Sequence, residues 1–474
     1  MRLTPIGKLL LFVVGLALAG TAAYRLLPAG LVERWTQRRW ARQTSVPPTA
    51  PPASAAVRLR LDGSNTIGRD LAPALAEKFL AHEGATGIHR IPGPPDETLV
   101  EGRIAGENTP VAIEIRAHGS GTAFEGLGSG VADIGMSSRR IKPDEKRLLA
   151  ALGDMTSPAN EFVLGLDGVA VIVHRANPVE SLSLEKVRDL FSGRTSNWSE
   201  LGGTPGPVHL HARDERSGTW ETFRQLVLRE AALAASAART EDSRELAAAV
   251  AADPGAIGFV GLAYVGDAKA LKISEAGSVA YRPTVFTVRT EDYLLSRRLY
   301  LYAAATPARP WTSRFVQFAL SHEGQSVVDA IGFVGQSLLD APVAREEATG
   351  GLVPAAYLSQ TRGASRLPLA FRFESGSDRL DNKALRDLGR LLEVLARPDH
   401  AGRELLLIGF ADSRGGEDSN LRLSRARAEA VSNELAAEGI RAVVVSGFGG
   451  AIPVATNDTE EGRARNRRVE VWLR

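Results

Sequence analysis

Residues 213–219 read Arg-Asp-Glu-Arg-Ser-Gly-Thr, and a helical pattern begins directly behind them at Trp220. A Ser-Gly-Thr turn at the start of a helix presents two hydroxyl groups and several backbone N–H groups at the positive end of the helix dipole, which suits a small oxyanion. Arg213 precedes the serine by four residues and can add a charged donor. A plain helix N-cap has the same composition, so this stretch alone leaves both interpretations open.

Two further stretches have the same design. Residues 63–66 (Gly-Ser-Asn-Thr) and residues 119–122 (Gly-Ser-Gly-Thr) each precede a helical pattern. An alternating apolar run comes before each of the three loops, which predicts a strand. A strand, a hydroxyl-rich turn and a helix, three times over, place ligand-binding groups at the carboxyl edge of an α/β sheet. Residues 132–139, which end in Ser-Ser-Arg, form a fourth candidate.

Composition narrows the class of protein. The 474 residues contain no cysteine, which excludes disulfides, thiolate metal sites and a cysteine nucleophile. Residues 1–56 carry seven Lys or Arg and one acidic residue, whereas the rest carries 50 basic and 54 acidic residues, so no basic field supports binding to nucleic acid. No catalytic triad, P-loop or metal-ligand spacing is visible, and we predict a protein that is not an enzyme and uses no metal or cofactor.

The N-terminus predicts export. Residues 9–23 form an apolar run that extends to about Gly30, with Arg2 and Lys8 before it. Residues 1–30 are typical either of a cleaved signal peptide or of an uncleaved inner-membrane anchor. Residues 31–56 are basic at first and then rich in Pro and Ala, which predicts an extended linker. In both cases the body of the protein is expected in the periplasm or cell envelope.

The middle region, residues 57–343, alternates between predicted strands and helices, including two adjoining strands at 163–166 and 169–173. Its motifs resemble, in order along the chain, the phosphate-binding periplasmic proteins of ABC importers (PstS-like). The resemblance implies two α/β lobes joined by a hinge, with lobe I at about 57–165 and 275–343 and lobe II at about 166–274. It also implies phosphate as ligand and an importer permease as partner. The motifs are residues 63–66, 132–139, 167–173, 213–219 and 255–259.

The same resemblance implies a set of anion-binding residues. Ser138 stands where one branch of the family has an aspartate that accepts a proton from HPO₄²⁻, which puts the rejection of sulfate in doubt. Arg139 either favours an anion at this point or forms an ordinary surface salt bridge. The implied phosphate-binding residues are Ser64, Asn65, Thr66, Ser120, Gly121, Thr122, Ser138, Arg139, Arg213, Ser217, Gly218 and Thr219.

The C-terminal region follows a second predicted linker. Residues 344–366 mix polar residues, Pro and Gly without a clear period, and residues 367–474 then alternate between strands and amphipathic helices, which predicts a small α/β sandwich. The pattern around Asn420 and Arg427, with an Asn-Arg-Arg run at 466–468, resembles OmpA-like peptidoglycan-binding domains.

This second resemblance implies a site for the diaminopimelate stem peptide of peptidoglycan. In that family an aspartate, here Asp412, forms an ion pair with the ammonium of diaminopimelate. An arginine, here Arg427, forms a bidentate pair with its carboxylate. A structural Asp–Arg pair between a strand and a helix is the alternative. The usual Gly-His-Thr-Asp run is Gly-Phe-Ala-Asp at 409–412, which removes two hydrogen-bonding groups. The implied peptidoglycan-binding residues are Asp412, Asn420, Leu421, Arg427 and Arg467.

Together the two resemblances predict an exported protein that captures inorganic phosphate, or a similar oxyanion, while its C-terminal domain holds peptidoglycan. The alternative is a structural or sensory protein of the cell envelope whose middle domain no longer binds phosphate. The expected partners are phosphate, peptidoglycan, an importer permease and, through the N-terminal segment, the inner membrane.

Overall fold

The computed structural model describes residues 55–215, 217–338, 353–374, 377, 379–400 and 402–474. Residues 55–474 belong to one unit. The predicted signal peptide or membrane anchor and nearly all of the first predicted linker lie outside the described residues. Within the described ranges, no helix is long and apolar enough to cross a membrane.

One sheet of eleven strands organises the region before residue 303. Two short strands, β7 and β12, form a separate two-stranded sheet. The strands in chain order are β1 (Ala56–Gly63), β2 (Ala85–Pro92), β3 (Glu97–Ile104), β4 (Val111–Arg116), β5 (Ile134–Ser137), β6 (Glu161–Val173), β7 (Ser181–Ser183), β8 (His209–Arg213), β9 (Ala238–Thr240), β10 (Ala256–Gly261), β11 (Lys269–Ala270), β12 (Lys272–Ser274) and β13 (Ser296–Tyr302).

The order of strands across the large sheet is β2-β3-β4-β1-β5-β13-β6-β10-β8-β9, and β11 pairs with β6. Helices connect and cover these strands, and residues Arg224–Leu228 continue α6 as a short π-helix. The helices are α1 (Asn65–Gly68), α2 (Leu71–His82), α3 (Ser120–Gly128), α4 (Pro143–Leu148), α5 (Leu184–Phe191), α6 (Gly218–Phe223), α7 (Ser243–Ala252), α8 (Val285–Arg289), α9 (Pro310–Leu320) and α10 (His322–Ala330).

Strand β6 connects the two lobes. The sequence predicted two adjoining strands at 163–166 and 169–173, but the structure has a single strand of 13 residues. Its first half pairs with β13, as far as Gly168 opposite Ser296, and its second half pairs with β10. Both faces of the strand are covered, so its side chains are mostly apolar rather than alternating. Asp167 and Gly168 interrupt the apolar residues in the middle of the strand, which is why the sequence predicted two segments instead of one element.

Each lobe has its own core. In the first lobe, Phe79 packs edge-on against Phe315 with ring centroids 5.3 Å apart. In the second, Phe223 and Phe259 stack at 3.8 Å. The second core extends beyond the boundary predicted at residue 274, because the chain returns to the first lobe only with β13. Three residues beyond this boundary pack in the second core, namely Tyr281, Leu294 and Leu295.

The C-terminal region contains a four-stranded sheet in the order β14-β17-β15-β16. Its long helices α12 and α13 share an apolar core with one face of the sheet, whereas Leu406, Ile408 and Trp472 on the other face join the core of the second lobe. The elements are α11 (Ala355–Gln360), β14 (Ser365–Arg372), α12 (Asn382–Leu395), β15 (Leu405–Gly409), α13 (Glu417–Ala437), β16 (Val444–Gly447), α14 (Glu460–Asn466) and β17 (Arg468–Leu473).

The predicted linker at 344–366 is partly folded. Its described part contains α11, in which Tyr357 is the buried residue. The Tyr357 ring packs against Phe448 at 5.5 Å, and its hydroxyl donates to Glu470 Oε2 at 2.7 Å. A helix of six residues with one buried side chain has no period that the sequence can display, which explains why a linker was predicted here.

Candidate anion-binding site

Loops that follow neighbouring strands of the first lobe lie side by side, as predicted. The amide of Gly119 donates to the carbonyl of Gly63 at 2.8 Å. Ser120 Oγ accepts from the amide of Ser138 at 3.0 Å and lies 3.1 Å from Ser138 Oγ. Gly63 has a φ of +140°, and a Cβ there would lie 2.0 Å from the carbonyl oxygen of Met136, so the close approach of these loops requires glycine.

The Ser-Gly-Thr turn of the second lobe meets the first loop across the cleft. Ser217 is the N-cap of α6, and its Oγ accepts from the amide of Trp220 at 3.4 Å. A Cβ on Gly218 would lie only 2.8 Å from Thr66 Cα, so the two loops are in contact. Gly218 and Thr219 are the first residues of α6, and their amides have no acceptor within the helix. The N-termini of α1 and α6 therefore face each other.

A cavity of about 260 Å³ lies at this junction. Carboxylates, including those of Asp70 and Asp167, line it together with the arginines, so a bound anion must be held by well-placed hydrogen bonds rather than by a large positive charge. Within the described residues, no group of three or more His, Asp and Glu is positioned to hold a metal ion. The predicted residues that line the cavity are Asn65, Thr66, Arg213, Ser217, Gly218 and Thr219.

Two predicted residues keep buried polar atoms without a hydrogen-bond partner, namely Arg213 Nε and Ser64 Oγ. The other nitrogens of Arg213 contact Ser243 Oγ and, at 3.7 Å, the carboxylate of Asp214. Burial lowers the pKa of the Arg213 guanidinium, which nevertheless stays charged at neutral pH. A buried polar group without a partner costs about 1–3 kcal/mol, and an anion in the adjoining cavity offers an acceptor.

The residue that joins the loops was not predicted from the sequence. Arg297, on β13, is 9% exposed. Its Nη2 donates to Thr66 Oγ1 at 2.7 Å and its Nη1 donates to Ser138 Oγ at 3.1 Å. Nη2 also lies 3.3 Å from the carbonyl oxygen of Gly218. Arg297 therefore contacts the loops of both lobes.

Arg297 also sets the direction of the hydroxyl groups around it. The oxygens of Thr66 and Ser138 both accept from the guanidinium. The Thr66 hydroxyl lies 3.5 Å from Glu221 Oε2, and the Ser138 hydroxyl lies 3.1 Å from Ser120 Oγ, so an anion would compete with these two acceptors for their protons. The sequence contains one signal for Arg297, a pair of arginines within an apolar strand. Arginines in such a strand are expected to be buried, and a buried arginine needs a polar partner.

Asp167 is the second residue that the predicted set omitted, although its motif contributed to the resemblance. It is 4% exposed and lines the cavity. Its Oδ2 accepts from Thr222 Oγ1 at 2.8 Å and lies 3.3 Å from Arg297 Nε. Both contacts use Oδ2, which leaves Oδ1 as an acceptor for a ligand.

Some of the predicted residues have other roles in the structure. Arg139 forms a two-pronged ion pair with Glu145, at 2.5 and 2.8 Å, and its guanidinium lies over the Phe124 ring. This corrects its assignment as an anion ligand and favours the surface salt bridge. Thr122 Oγ1 donates to the carbonyl of Gly119 at 3.0 Å, so its proton is used within its own loop. Gly121 is exposed.

Of the residues predicted to bind peptidoglycan, Arg467 pairs with Asp412 through its side chain. Asp412 Oδ2 accepts from Arg467 Nη1 at 2.9 Å, and Arg467 Nη2 donates to Glu460 Oε1 at 2.8 Å, so Arg467 holds the carboxylate in place. Arg427 is 1% exposed and its guanidinium lies 5.5 Å from the centre of the Phe373 ring. Asn420 is buried, whereas Leu421 is 41% exposed.

Residues 97–323 match the family model described as the PBP superfamily domain, and residues 372–467 match the OmpA family. The chain joins a periplasmic-binding-protein-like domain to an OmpA-like domain. The phosphate-binding protein PstS of Staphylococcus saprophyticus is 28% identical over 251 residues, which cover 51% of this chain and 76% of that protein. Both resemblances are confirmed.

Solved structures similar to parts of the chain include an ABC-type phosphate transport receptor from Vibrio cholerae. It has a TM-score of 0.45 and 23% identity and covers 58% of this chain and 99% of the receptor. The peptidoglycan-associated lipoprotein from Burkholderia pseudomallei has a TM-score of 0.21 and 28% identity and covers 22% of this chain and 89% of the lipoprotein.

Proposed function

We propose that the chain is an exported solute-binding protein that captures inorganic phosphate, or a similar tetrahedral oxyanion, between α1 and α6. The observation that carries this proposal is the convergence of Thr66, Ser138 and Gly218 on Arg297. The relative named a phosphate-binding protein supports phosphate as the anion. Delivery of the anion to an importer permease in the envelope belongs to the same proposal.

The anion is held by three kinds of donor. The hydroxyls of Thr66 and Ser138, whose oxygens accept from Arg297, are the neutral side-chain donors. The first amides of α6 donate at the positive end of its dipole. Arg213 adds a charged donor from the second lobe, and such bonds are stronger than neutral ones. The lobes meet at Gly218, which brings the donors of α6 next to those of the first lobe.

Selectivity for phosphate requires an acceptor for its remaining proton, because HPO₄²⁻ carries a proton at neutral pH and sulfate carries none. Ser138 lacks the carboxylate found at this position in one branch of the phosphate-binding family. Asp167, which lines the cavity, supplies a buried carboxylate with Oδ1 available. A sulfate oxygen at this point would meet a second negative oxygen without a proton between them, which disfavours sulfate.

A titration of residues 55–474 with phosphate, sulfate, arsenate and molybdate tests the proposal. Phosphate at 100 times its Kd is expected to stabilise the protein by about 2.7 kcal/mol, which gives a measurable rise in Tm. Arg213→Ala and Ser217→Ala are expected to remove that rise. If no oxyanion raises Tm or releases heat, phosphate capture is excluded, and a structural or sensory envelope protein remains.

The C-terminal domain is proposed to hold the protein at peptidoglycan through Asp412 and Arg427. The match to the OmpA family supports this part of the proposal. Asp412→Asn is expected to abolish co-sedimentation with isolated peptidoglycan, since the amide cannot pair with an ammonium group. Asp399→Asn is the matched control because Asp399 is exposed and pairs with Arg397 at the surface. Unchanged sedimentation of Asp412→Asn would exclude this site.

A further inference from the structure

The C-terminal domain contacts β13 on both sides of Arg297. On one side, Arg465 of α14 donates through Nη2 to the carbonyl of Ser296 at 2.6 Å and through Nη1 to Ser296 Oγ at 3.3 Å. On the other side, Arg298 Nη1 donates to Asp381 Oδ2, at the start of α12, at 2.7 Å. The two neighbours of the cleft arginine are therefore both held by the C-terminal domain.

These contacts control the direction of Arg297 because side chains alternate along a strand. Arg298 reaches the C-terminal domain, so Arg297 is turned to the opposite face of β13, toward the cleft. The Arg298–Asp381 pair is well shielded, with side chains 15% and 12% exposed, and Glu291 completes it with a contact of 2.8 Å to Arg298. An ion pair shielded to this extent is screened little by salt.

The C-terminal domain also contacts both lobes beside β13. Asn382 Nδ2 donates to Glu161 Oε1, at the start of β6, at 2.9 Å. The amide of Thr456 donates to Glu275 Oε2, in the second lobe, at 2.8 Å. The connection between the lobes is thus bridged by the C-terminal domain, and the position of β13 depends on where that domain sits.

We infer that Asp381 and Arg465 are positioning residues for anion binding, so that the C-terminal domain completes the anion site of the other domain. This inference rests on the proposed function. It means that phosphate affinity depends on the docking of the C-terminal domain, although neither residue is among those lining the cavity.

The test measures phosphate binding by calorimetry in residues 55–474 carrying Asp381→Asn or Arg465→Gln. Asparagine keeps the N-cap of α12, where Asp381 Oδ1 accepts from the amide of Ala384 at 2.8 Å, but it removes the charge that holds Arg298. Each variant is expected to raise the Kd for phosphate about tenfold, within the range found for coupled neighbouring residues.

Arg463→Gln is the matched control, because Arg463 lies on the same helix as Arg465 but contacts Glu460 and Asn457 within the C-terminal domain. Its Kd for phosphate is expected to equal that of the parent protein. Circular dichroism without phosphate establishes that each variant is folded. Because Asp381 and Arg465 belong to different helices, the test can still be made with one variant if the other fails to fold.

A double-mutant cycle separates positioning from a general structural effect. Arg297→Lys is expected to weaken binding, and Asp381→Asn should then add no further loss because the group that it positions has changed. Full additivity, or an unchanged Kd in both single variants, would overturn the inference. A parent protein that does not bind phosphate would instead overturn the proposed function, and the inference with it.

Discussion

Arg297 Nη2 donates a hydrogen bond to Thr66 Oγ1 at 2.7 Å, across 231 positions of the chain. Thr66 belongs to the first hydroxyl-rich loop, whereas Arg297 lies on the strand that brings the chain back to the first lobe. The same guanidinium contacts Ser138 and Asp167. The loops of the candidate anion site therefore converge on an arginine that belongs to none of them.

Replacement of Arg297 is the most direct test of this arrangement. Arg297→Gln is expected to weaken phosphate binding about tenfold to a hundredfold, since a hydrogen bond to a charged group contributes about 1.5–3 kcal/mol. Calorimetry gives the Kd. Arg139→Gln is the control, because it removes the same charge from a residue that pairs with Glu145. Equal losses in the two variants would show that only overall charge matters.

Gly218→Ala tests whether the lobes must meet at the α6 turn. The new Cβ would lie 2.8 Å from Thr66 Cα, so the loops must separate and phosphate affinity is expected to fall at least tenfold. Gly121→Ala is the control, since a Cβ at Gly121 has no atom within 4 Å. A Gly218→Ala variant with unchanged Kd would show that the cleft binds its anion without this contact.

Asp167→Asn tests the origin of selectivity. The amide keeps the volume of the side chain but can donate a hydrogen bond where the carboxylate only accepts. The ratio of the Kd for sulfate to the Kd for phosphate is therefore expected to fall, with sulfate gaining affinity. Competition of the two anions in one titration measures this ratio. An unchanged ratio would assign selectivity to another group.

The contact between β13 and the C-terminal domain makes stability depend on pH. Burial alone would raise the pKa of the Glu291 carboxyl, but Arg298, with Lys383 and Arg372, lowers the pKa from 4.5 to about 2. A carboxyl whose pKa is lower in the folded state than in the unfolded chain stabilises the fold when the pH is above the pKa of the unfolded chain. This stabilisation is lost as the pH falls to the pKa of the folded state. The free energy of unfolding should therefore decrease between pH 4.5 and 2, by about 3 kcal/mol from this group.

Glu291→Gln is expected to remove that part of the pH dependence and to destabilise the protein at pH 7. Urea unfolding at several pH values between 7 and 2 provides the measurement. Glu404→Gln serves as the control, because Glu404 pairs with Arg474 at the surface with side chains 46% and 40% exposed, where pairs contribute about 0–1 kcal/mol. Parallel curves for Glu291→Gln and the parent would contradict the assignment.

Arg139 and Arg297 show why part of the site was predictable and part was not. Both arginines follow or lie within apolar strands, and Arg139 is adjacent to the hydroxyl-rich motif, so the sequence favoured Arg139. In the structure Arg139 pairs with Glu145, six positions later and the third residue of α4, whereas Arg297 contacts the loops of the cleft. A sequence pattern indicates which residues are charged, but the partner of a charge depends on folding.

The sequence by itself determined the two domain types and the three loops at 63–66, 119–122 and 217–219. Strand alternation, turn residues and helix starts are local properties, and the chain displays them over a few residues. Tertiary structure alone decided that Asp167 lines the cleft, that Arg297 contacts the loops around it and that Asp381 and Arg465 contact β13 and its flanking residues. Those contacts join segments from 55 to 231 positions apart, as between Asp167 and Thr222 or Arg297 and Thr66, and only the packing of the folded lobes brings them together.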